Sequence, residues 1–438
     1  MDIKSLFLLI GILFSRMTGS FSWKVSINSA VLKMHMYDAV QVSFFTDVPA
    51  TIHSNVLITA NNSDPNVVDI DLPLFHHDKI VKGFWNDTIN VTGLFLGKAK
   101  IILSISLDGV LVNSSIMEVI VTRQERVIDT VFTASVVILV SILYINFGCA
   151  MDWDLCRKTL KKPVGPAIGF VCQFLFMPVI SYVIGYVLFP DYPEMQLGIF
   201  FTGISPSGGA SNIWTLMLGG NLNLSITMTT LCTVGAFAFI PFWLFTLGKH
   251  IFDRGNLQVP YFKIATYAIG LLIPLAIGFF IQKKMPRFCK IMVRIMKPFS
   301  VILIIFIIIF AIVTNLYLFK LFSWKIIVAG LGLPWMGYLV GLFMGLIFRQ
   351  PGADVRAISI ETGIQNTGIS IFLLRFGLEQ PAADLTTVAP VSCAIMTPVP
   401  LTIFYIIKLI LDRRKKKLAA SMEKLQNHQI PSITTSLT

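Results

Sequence analysis

Nine long apolar runs follow Arg126, and they constrain the fold more than any other feature of the sequence. They lie at about residues 129–149, 164–189, 195–219, 223–248, 259–282, 295–319, 325–348, 355–375 and 385–411. Each is long enough to cross a hydrocarbon core about 30 Å thick as a helix. Only 13% of the residues are charged, whereas about a quarter are charged in soluble domains. The sequence therefore predicts an all-α polytopic membrane protein with nine spans in a lipid bilayer.

Basic residues in the connections between the runs predict how the chain is oriented. The connections after odd-numbered spans are rich in lysine and arginine, as at 157–162 and 283–290, and the tail at 413–438 opens with a basic run. By the positive-inside rule, these connections and the C-terminus are cytoplasmic. The net charge of +12 is thus a topology signal, and no nucleic-acid partner is expected. We expect a multi-pass protein of the plasma membrane with an extracellular N-terminus and a disordered cytoplasmic tail.

The N-terminal region differs from the rest of the chain in its pattern of apolar and polar residues. Lys4, the apolar run at 6–14 and the small polar residues that follow are typical of a signal peptide, assigned to 1–20. Short alternating segments between turn residues at 21–127 predict an extracellular β-sandwich domain. Four glycosylation sequons favour the same side of the membrane. They begin at Asn61, Asn86, Asn90 and Asn113.

Helix-breaking and polar residues recur at a near-constant separation in the two halves of the nine-span domain, 128–412. Three pairs show this recurrence: Pro178 with Pro334, Pro241 with Pro398, and Asn212 with Gln365. Each residue has its counterpart five spans later, and an odd offset gives the two halves opposite orientations. Inverted repeats of this kind are typical of alternating-access transporters, although isolated prolines also occur in ordinary membrane helices.

Two spans are interrupted near their centres by small and polar residues. Span 3 carries SPSGGASN at 205–212, and span 8 carries ETGIQNTG at 361–368. Freed backbone groups in mid-membrane survive only beside protein or a water-filled cavity, so we expect two crossing discontinuous helices. Glu361 is the one acidic residue deep within a predicted span, and such a carboxylate is a functional hypothesis by default. The structural alternative is a neutral side chain bonded to a neighbouring helix.

The residue types around Glu361 indicate which ion it would hold. Hydroxyl, amide and carbonyl oxygens suit a small hard cation, and histidine or thiol ligands for a transition metal are missing nearby. A proton relay would need only the carboxylate, so the oxygen-rich surroundings favour sodium, with no other metal expected. An intramembrane hydrolase with Ser205 or Ser211 as nucleophile is disfavoured, because no histidine lies in a predicted span core to activate it. We therefore expect no catalytic residues and no enzyme.

Three stretches carry a family resemblance: 205–212, the run GNLNLSITMTT at 220–230, and 361–366. Together they resemble the sodium/bile acid cotransporter family over about residues 130–412. The N-terminal domain is similar to that of family members with long ectodomains. The resemblance implies a core domain that moves against a panel domain, with spans 3 and 8 crossing and Na⁺ co-transported.

The resemblance also implies roles for individual residues. One sodium site would use Ser211, Asn212, Ser225, Thr229 and Glu361. A second would use Gln173, Glu361, Thr362, Gln365 and the backbone carbonyl of Ile364. Asn366 matches a position that contacts substrate, and Gly209 would lie beside the substrate cavity. Two positions depart from the family pattern, because Ser207 stands where a second glycine is usual and Gly209 where a polar residue is usual.

These features predict a sodium-coupled secondary active symporter of an amphipathic organic anion, of the bile acid or sulfated steroid class, working by alternating access. The alternative is a non-transporting membrane receptor or adaptor that uses the glycosylated ectodomain. The ectodomain favours the receptor, whereas a complete cation site favours the symporter. A homo-oligomer and a partner for the ectodomain are both left open.

Overall fold

A computed structural model describes residues 25–47, 56–72, 80–81, 84–107, 110–124, 126–255, 257, 261–295, 309 and 323–428. The chain divides into two compact units, Met1–Glu125 and Arg126–Thr438. The predicted signal peptide and nearly all of the sixth predicted span lie outside the described residues.

The N-terminal unit is rich in β-structure, as predicted. One sheet has the order β1-β3-β7-β5, with β6 also paired to β7, and the other has the order β2-β9-β8-β4. The described strands are β1 Val25–Ile27, β2 Val31–His35, β3 Ala39–Asp47, β4 Val56–Asn62, β5 Val68–Asp71, β6 Ile80–Val81, β7 Phe84–Gly93, β8 Gly97–Leu107 and β9 Val110–Thr122.

Residues from both sheets form one hydrophobic core. Alternation along β8 buries Ile101, Leu103 and Ile105 completely, as the period of two in a strand requires. In the other sheet, Phe44 packs edge-on against Trp85 with ring centroids 4.9 Å apart. The sharing of one core by two sheets is what the β-sandwich prediction requires.

The four sequon asparagines lie on strands of this unit. Asn61 is on β4, Asn86 and Asn90 are on β7, and Asn113 is on β9. None of the four side chains is buried. Their glycosylation stays a prediction.

The second unit is helical. Its described helices are α1 Val127–Ala150, α2 Trp153–Leu160, α3 Val164–Leu188, α4 Pro193–Ile204, α5 Ala210–Met217, α6 Leu222–Arg254, α7 Tyr261–Lys284, α8 at 286–295, α9 Trp324–Ile347, α10 Gly352–Gly363, α11 Thr367–Gly377, α12 Ala382–Leu385, α13 Val388–Met396 and α14 Pro398–His428.

Among the described residues, five helices are long and apolar enough to cross a membrane, and six if the pair α1 and α2, bent by 61°, counts as one span. Predicted spans 3 and 8 are each divided into two shorter helices, α4 with α5 and α10 with α11. The protein is thus of the helical membrane type, and the count of nine spans stays a prediction.

A π-bulge at Cys172–Phe176 interrupts α3 just before Pro178. Proline has no N–H to give to the preceding turn, which loosens the hydrogen-bond register there. π-Bulges are frequent at functional sites, and this one contains Gln173.

Glycines set the distance between α9 and α10. A Cβ atom at Gly337 would lie 2.7 Å from Gly363 Cα, and one at Gly341 would lie 2.6 Å from Ser359 Cα. The two backbones therefore touch along a glycine seam, in the manner of small-residue contacts in membranes. This contact fixes α10, which carries Glu361.

The C-terminal helix is longer than predicted. α14 continues to His428, so residues 413–428, expected to belong to a disordered tail, are helical. Lysine, arginine, leucine, alanine, glutamate and methionine are good helix formers, and they fill this stretch. Residues 429–438 lie outside the described chain.

Candidate functional site

The two broken spans meet at their breaks. Ser207 lies opposite Gln365 in an isolated antiparallel bridge, and the amide of Gly208 donates to the Ile364 carbonyl at 2.8 Å. A Cβ atom at Gly208 would lie 2.9 Å from the Gln365 carbonyl oxygen, so glycine permits this approach. Short β-type pairing thus satisfies backbone groups that the two broken helices leave free.

Glu361, in the last turn of α10, is 1% exposed. Its Oε2 accepts from the Ser225 hydroxyl at 2.8 Å, and its Oε1 accepts from the Thr229 hydroxyl. Ser225 and Thr229 are four residues apart on α6, so both face the same side of that helix. Within the described residues, no lysine or arginine forms an ion pair with Glu361.

Acceptor oxygens outnumber protons around this carboxylate. The Ser225 hydroxyl lies 2.8 Å from Glu361 Oε2 and 2.9 Å from Asn212 Oδ1. The Thr229 hydroxyl also serves two acceptors, Glu361 Oε1 and the Ser225 carbonyl at 3.0 Å. Each hydroxyl has only one proton to give. The surplus of oxygen lone pairs suits a hard cation.

Ser211 adds one more oxygen beside this group. Its side chain is fully buried, and its hydroxyl lies beside the Glu361 carboxylate. The structure therefore brings together all five residues predicted for the first sodium site, four of them through hydrogen bonds.

The residues predicted for the second sodium site also lie together, but their hydrogen bonds are balanced. Gln173 Nε2 donates to the Ser205 carbonyl and to Gln365 Oε1, both at 2.7 Å. Gln365 Nε2 donates to the Thr362 carbonyl at 2.7 Å. The Ile364 carbonyl accepts from the backbone at the crossing. Unlike the Glu361 group, this network has no surplus of acceptors.

The two residues predicted to contact substrate flank the crossing. Asn366 begins α11, where its Oδ1 accepts from the Ile369 amide at 3.3 Å. Gly209 precedes α5, and a Cβ atom there would lie 2.8 Å from Cε1 of Phe147. The ring of Phe147 on α1 therefore fills the space that a side chain at Gly209 would need.

Sequence reasoning missed two buried polar features. Asp384 is fully buried and lies 2.5 Å from Arg375, whose side chain is 7% exposed. Both residues fall at the ends of predicted spans, where a charged residue is ordinary and does not indicate a buried pair. Asn146 on α1 is fully buried, and its amide has no hydrogen-bond partner among the described residues. An amide inside an apolar run was the available signal for Asn146.

Comparison with known proteins places this arrangement in a family. The family model described as Sodium Bile acid symporter family matches residues 136–321. The ileal sodium/bile acid cotransporter of Oryctolagus cuniculus is 31% identical over 268 residues, which are 60% of this chain and 74% of that protein. The chain belongs to the sodium bile acid symporter family.

The matches with two other relatives cover a smaller share of those proteins. The P3 protein of Homo sapiens is 30% identical over 256 residues, which are 58% of this chain and 54% of that protein. The sodium-dependent organic anion transporter of Bos taurus is 30% identical over 256 residues, or 57% of this chain and 65% of that protein. The chain thus spans about half the length of the P3 protein it matches.

Proposed function

We propose that this protein is a sodium-coupled symporter of an amphipathic organic anion that works by alternating access. The observation that carries the proposal is the surplus of acceptor oxygens around Glu361. A buried carboxylate surrounded by hydroxyl and amide oxygens is costly without a counter-charge. A sodium ion would supply that charge.

The first sodium site is proposed to use Ser211, Asn212, Ser225, Thr229 and Glu361. These residues come from α5, α6 and α10, so a bound cation would tie the crossing to α6. For the second site, the Gln173–Gln365 pair would have to turn one amide oxygen toward the cation. Among the described residues no cluster of histidine, cysteine and carboxylate ligands suits another metal.

The substrate class is proposed from the crossing and from the relatives. The N-termini of α5 and α11 lie at the crossing, and the positive ends of helix dipoles favour an anion. Relatives named as an ileal sodium/bile acid cotransporter and a sodium-dependent organic anion transporter support a bile acid, a steroid sulfate or a related anion.

Coupling follows from the charge on Glu361. Without sodium, the carboxylate disfavours a closed, dry arrangement of α5 against α10. With sodium bound, the neutralised site can close over the substrate, and the helices that carry it can move together. In this proposal the protein lies in the plasma membrane, with the β-rich unit extracellular and the C-terminus cytoplasmic.

Uptake by cells that express the full chain tests the proposal. Labelled bile acids and steroid sulfates are offered in sodium chloride or in choline chloride, with the surface amount measured by biotinylation. We expect uptake only in sodium, and its loss in Glu361→Gln. Thr227→Val is the control, because Thr227 is buried on α6, the helix of Ser225 and Thr229, and donates to its own backbone, to the Asn223 carbonyl at 2.8 Å.

Two results would overturn the proposal. Full sodium-driven uptake by Glu361→Gln at the cell surface would remove the role of the carboxylate. Uptake of no tested anion, together with no effect of sodium on the purified protein, would favour the receptor or adaptor.

A further inference from the structure

Buried hydroxyl groups on helices of the membrane unit usually bond to their own backbone. A serine or threonine in a helix can donate to the carbonyl four residues earlier. Five threonines on α6 and α10 do so: Thr227, Thr229, Thr230, Thr233 and Thr362. A hydroxyl group that bonds only to its own backbone has its proton engaged, which makes it a poor marker of a site; Thr229 differs because it also bonds to Glu361 Oε1.

Thr215 on α5 departs from this pattern. It is fully buried, and its hydroxyl has no hydrogen-bond partner in the described part of the chain, although the Ser211 carbonyl lies four residues earlier. Ser211, on the same face of α5, lies beside the Glu361 carboxylate instead. An orphaned hydroxyl in a membrane helix is expensive, which indicates that Thr215 serves a ligand.

The packing of α5 against α10 gives the position of each hydroxyl along the helix axes. The two helices run antiparallel from the pair of Ser207 with Gln365, so equal steps bring Ser211 level with Glu361. A Cβ atom at Gly220 would lie 2.7 Å from Thr215 Cγ2 and 3.2 Å from the Ala357 amide. Thr215 therefore lies level with Ala357, one turn or about 6 Å from Glu361 along the helices.

The series of polar groups continues past Thr215 to the α5–α6 turn. Asn221 follows this turn; its amide nitrogen Nδ2 donates to Asp354 Oδ1 at 2.8 Å, and its backbone amide donates to the Ala353 carbonyl at 2.9 Å. Asn221 and Asp354 are both half-buried. The positive-inside rule assigns this turn to the cytoplasmic face.

The carbonyls at the end of α5 already have cationic partners. Arg356 donates to the Gly219 carbonyl at 2.7 and 3.1 Å, and Lys408 donates to the Met217 carbonyl at 2.7 Å. A cation near this end of α5 would therefore meet side-chain oxygens before free backbone oxygens. Thr215 is the buried side-chain oxygen between Glu361 and the turn.

We propose that Thr215 forms the next cation-binding step after the site that holds Ser211 and Glu361, through which sodium passes to the face that carries the α5–α6 turn. This inference rests on the proposed sodium-coupled function and adds a route to it. Sodium moves between oxygen groups one helical turn apart, from the Glu361 carboxylate to the Thr215 hydroxyl and on to Asn221 and Asp354.

Thiol labelling of the purified full chain tests the route with sodium alone as the ligand. Thr215→Cys is treated with a cationic methanethiosulfonate reagent in choline chloride or in sodium chloride, and modification of its peptide is measured by mass spectrometry. We expect labelling in choline chloride and at least fivefold slower labelling in sodium chloride. Thr227→Cys is the control, and sodium should leave its labelling rate unchanged.

Equal labelling of Thr215→Cys in the two salts, or no labelling in either, would overturn the route. A second measurement follows thermal stabilisation by sodium. Thr215→Val should raise the sodium concentration for half-maximal stabilisation about threefold or more, since it removes an oxygen that would contact the cation, and Thr215→Ser should restore it. An unchanged midpoint in Thr215→Val would count against the route.

The failure of the route and the failure of the proposed function give different results. If sodium stabilises the wild-type protein but not Glu361→Gln, while Thr215→Cys is not protected, only the route is wrong. If sodium stabilises neither protein relative to choline, the sodium-coupled function is wrong and the route falls with it.

Discussion

Glu361 and Asp384 are both buried carboxylates of the membrane unit, yet their surroundings differ. Asp384 has a buried guanidinium 2.5 Å away, supplied by Arg375. Glu361 has the neutral hydroxyls of Ser225 and Thr229. A positively charged side chain thus lies beside Asp384, whereas none of the described residues supplies a positive charge to Glu361.

The difference separates a structural charge from a functional one. A paired buried charge keeps its partner in every state of the protein, so it holds α11 to the segment that follows it. A buried carboxylate with neutral partners changes its stability when a cation binds.

Asp384→Asn should destabilise the protein most. Removing one member of a buried ion pair takes away the counter-charge closest to the other member, which costs about 3–5 kcal/mol. We expect a large loss of folded protein, measured by size-exclusion chromatography and thermal unfolding in detergent. A variant as stable as the wild type would show that Arg375 does not depend on Asp384 for its counter-charge.

Replacing both members of the pair should recover much of that loss. A buried ion pair replaced by uncharged groups of similar volume is often nearly neutral, so Arg375→Met with Asp384→Asn should unfold at a higher temperature than Asp384→Asn alone. Equal instability of the single and double variants would mean that neither charge compensates the other.

Glu361→Gln should stabilise the protein in the absence of sodium, whereas Asp384→Asn should destabilise it. Glutamine keeps an acceptor for one hydroxyl and removes a charge that has no cationic partner in the described chain, so we expect stabilisation of about 1–2 kcal/mol. The wild type should approach this stability as sodium is added, whereas the variant should not respond. Thermal unfolding across a sodium titration at constant ionic strength measures both effects, and destabilisation in choline chloride would contradict the contrast.

Ser225→Ala should give the smallest effect on stability and a clear effect on binding. It removes a hydroxyl that lies between Glu361 and Asn212, so the sodium concentration for half-maximal stabilisation should rise about tenfold. Unfolding in choline chloride should change by only about 1 kcal/mol. An unchanged sodium midpoint would place the cation away from Ser225.

The crossing follows from local sequence rules, whereas the partners of Glu361 were expected from the family resemblance. Proline and paired glycines in an apolar run predict a break, and the near-constant separation of Asn212 and Gln365 predicts that the two breaks are counterparts. The crossing itself is observed in the bridge between Ser207 and Gln365. These predictions succeed because they depend on periodicity and on backbone chemistry within single helices.

What the sequence did not indicate depends on contacts between distant elements. Asp384 follows the predicted end of span 8, and only packing reveals that it is buried against Arg375. A side chain at Gly209 would meet the ring of Phe147, on a helix far away in the chain. The sequence also does not show that the Thr215 hydroxyl lacks a hydrogen-bond partner among the described residues. Threonines on α6 bond to their own helix, and nothing in the sequence distinguishes Thr215 from them.

The glycine seam between α9 and α10 has a consequence for how force travels through the membrane unit. At Gly337 and Gly341 backbone meets backbone, the Tyr338 ring packs on Gly363, and the Ser359 hydroxyl donates to the Tyr338 carbonyl at 2.7 Å, so α9 and α10 are held together along the seam. A displacement of Glu361 along the membrane normal must therefore carry α9 with it. The two helices should therefore move as one rigid unit. We expect a covalent cross-link between α9 and α10 to leave this movement unchanged.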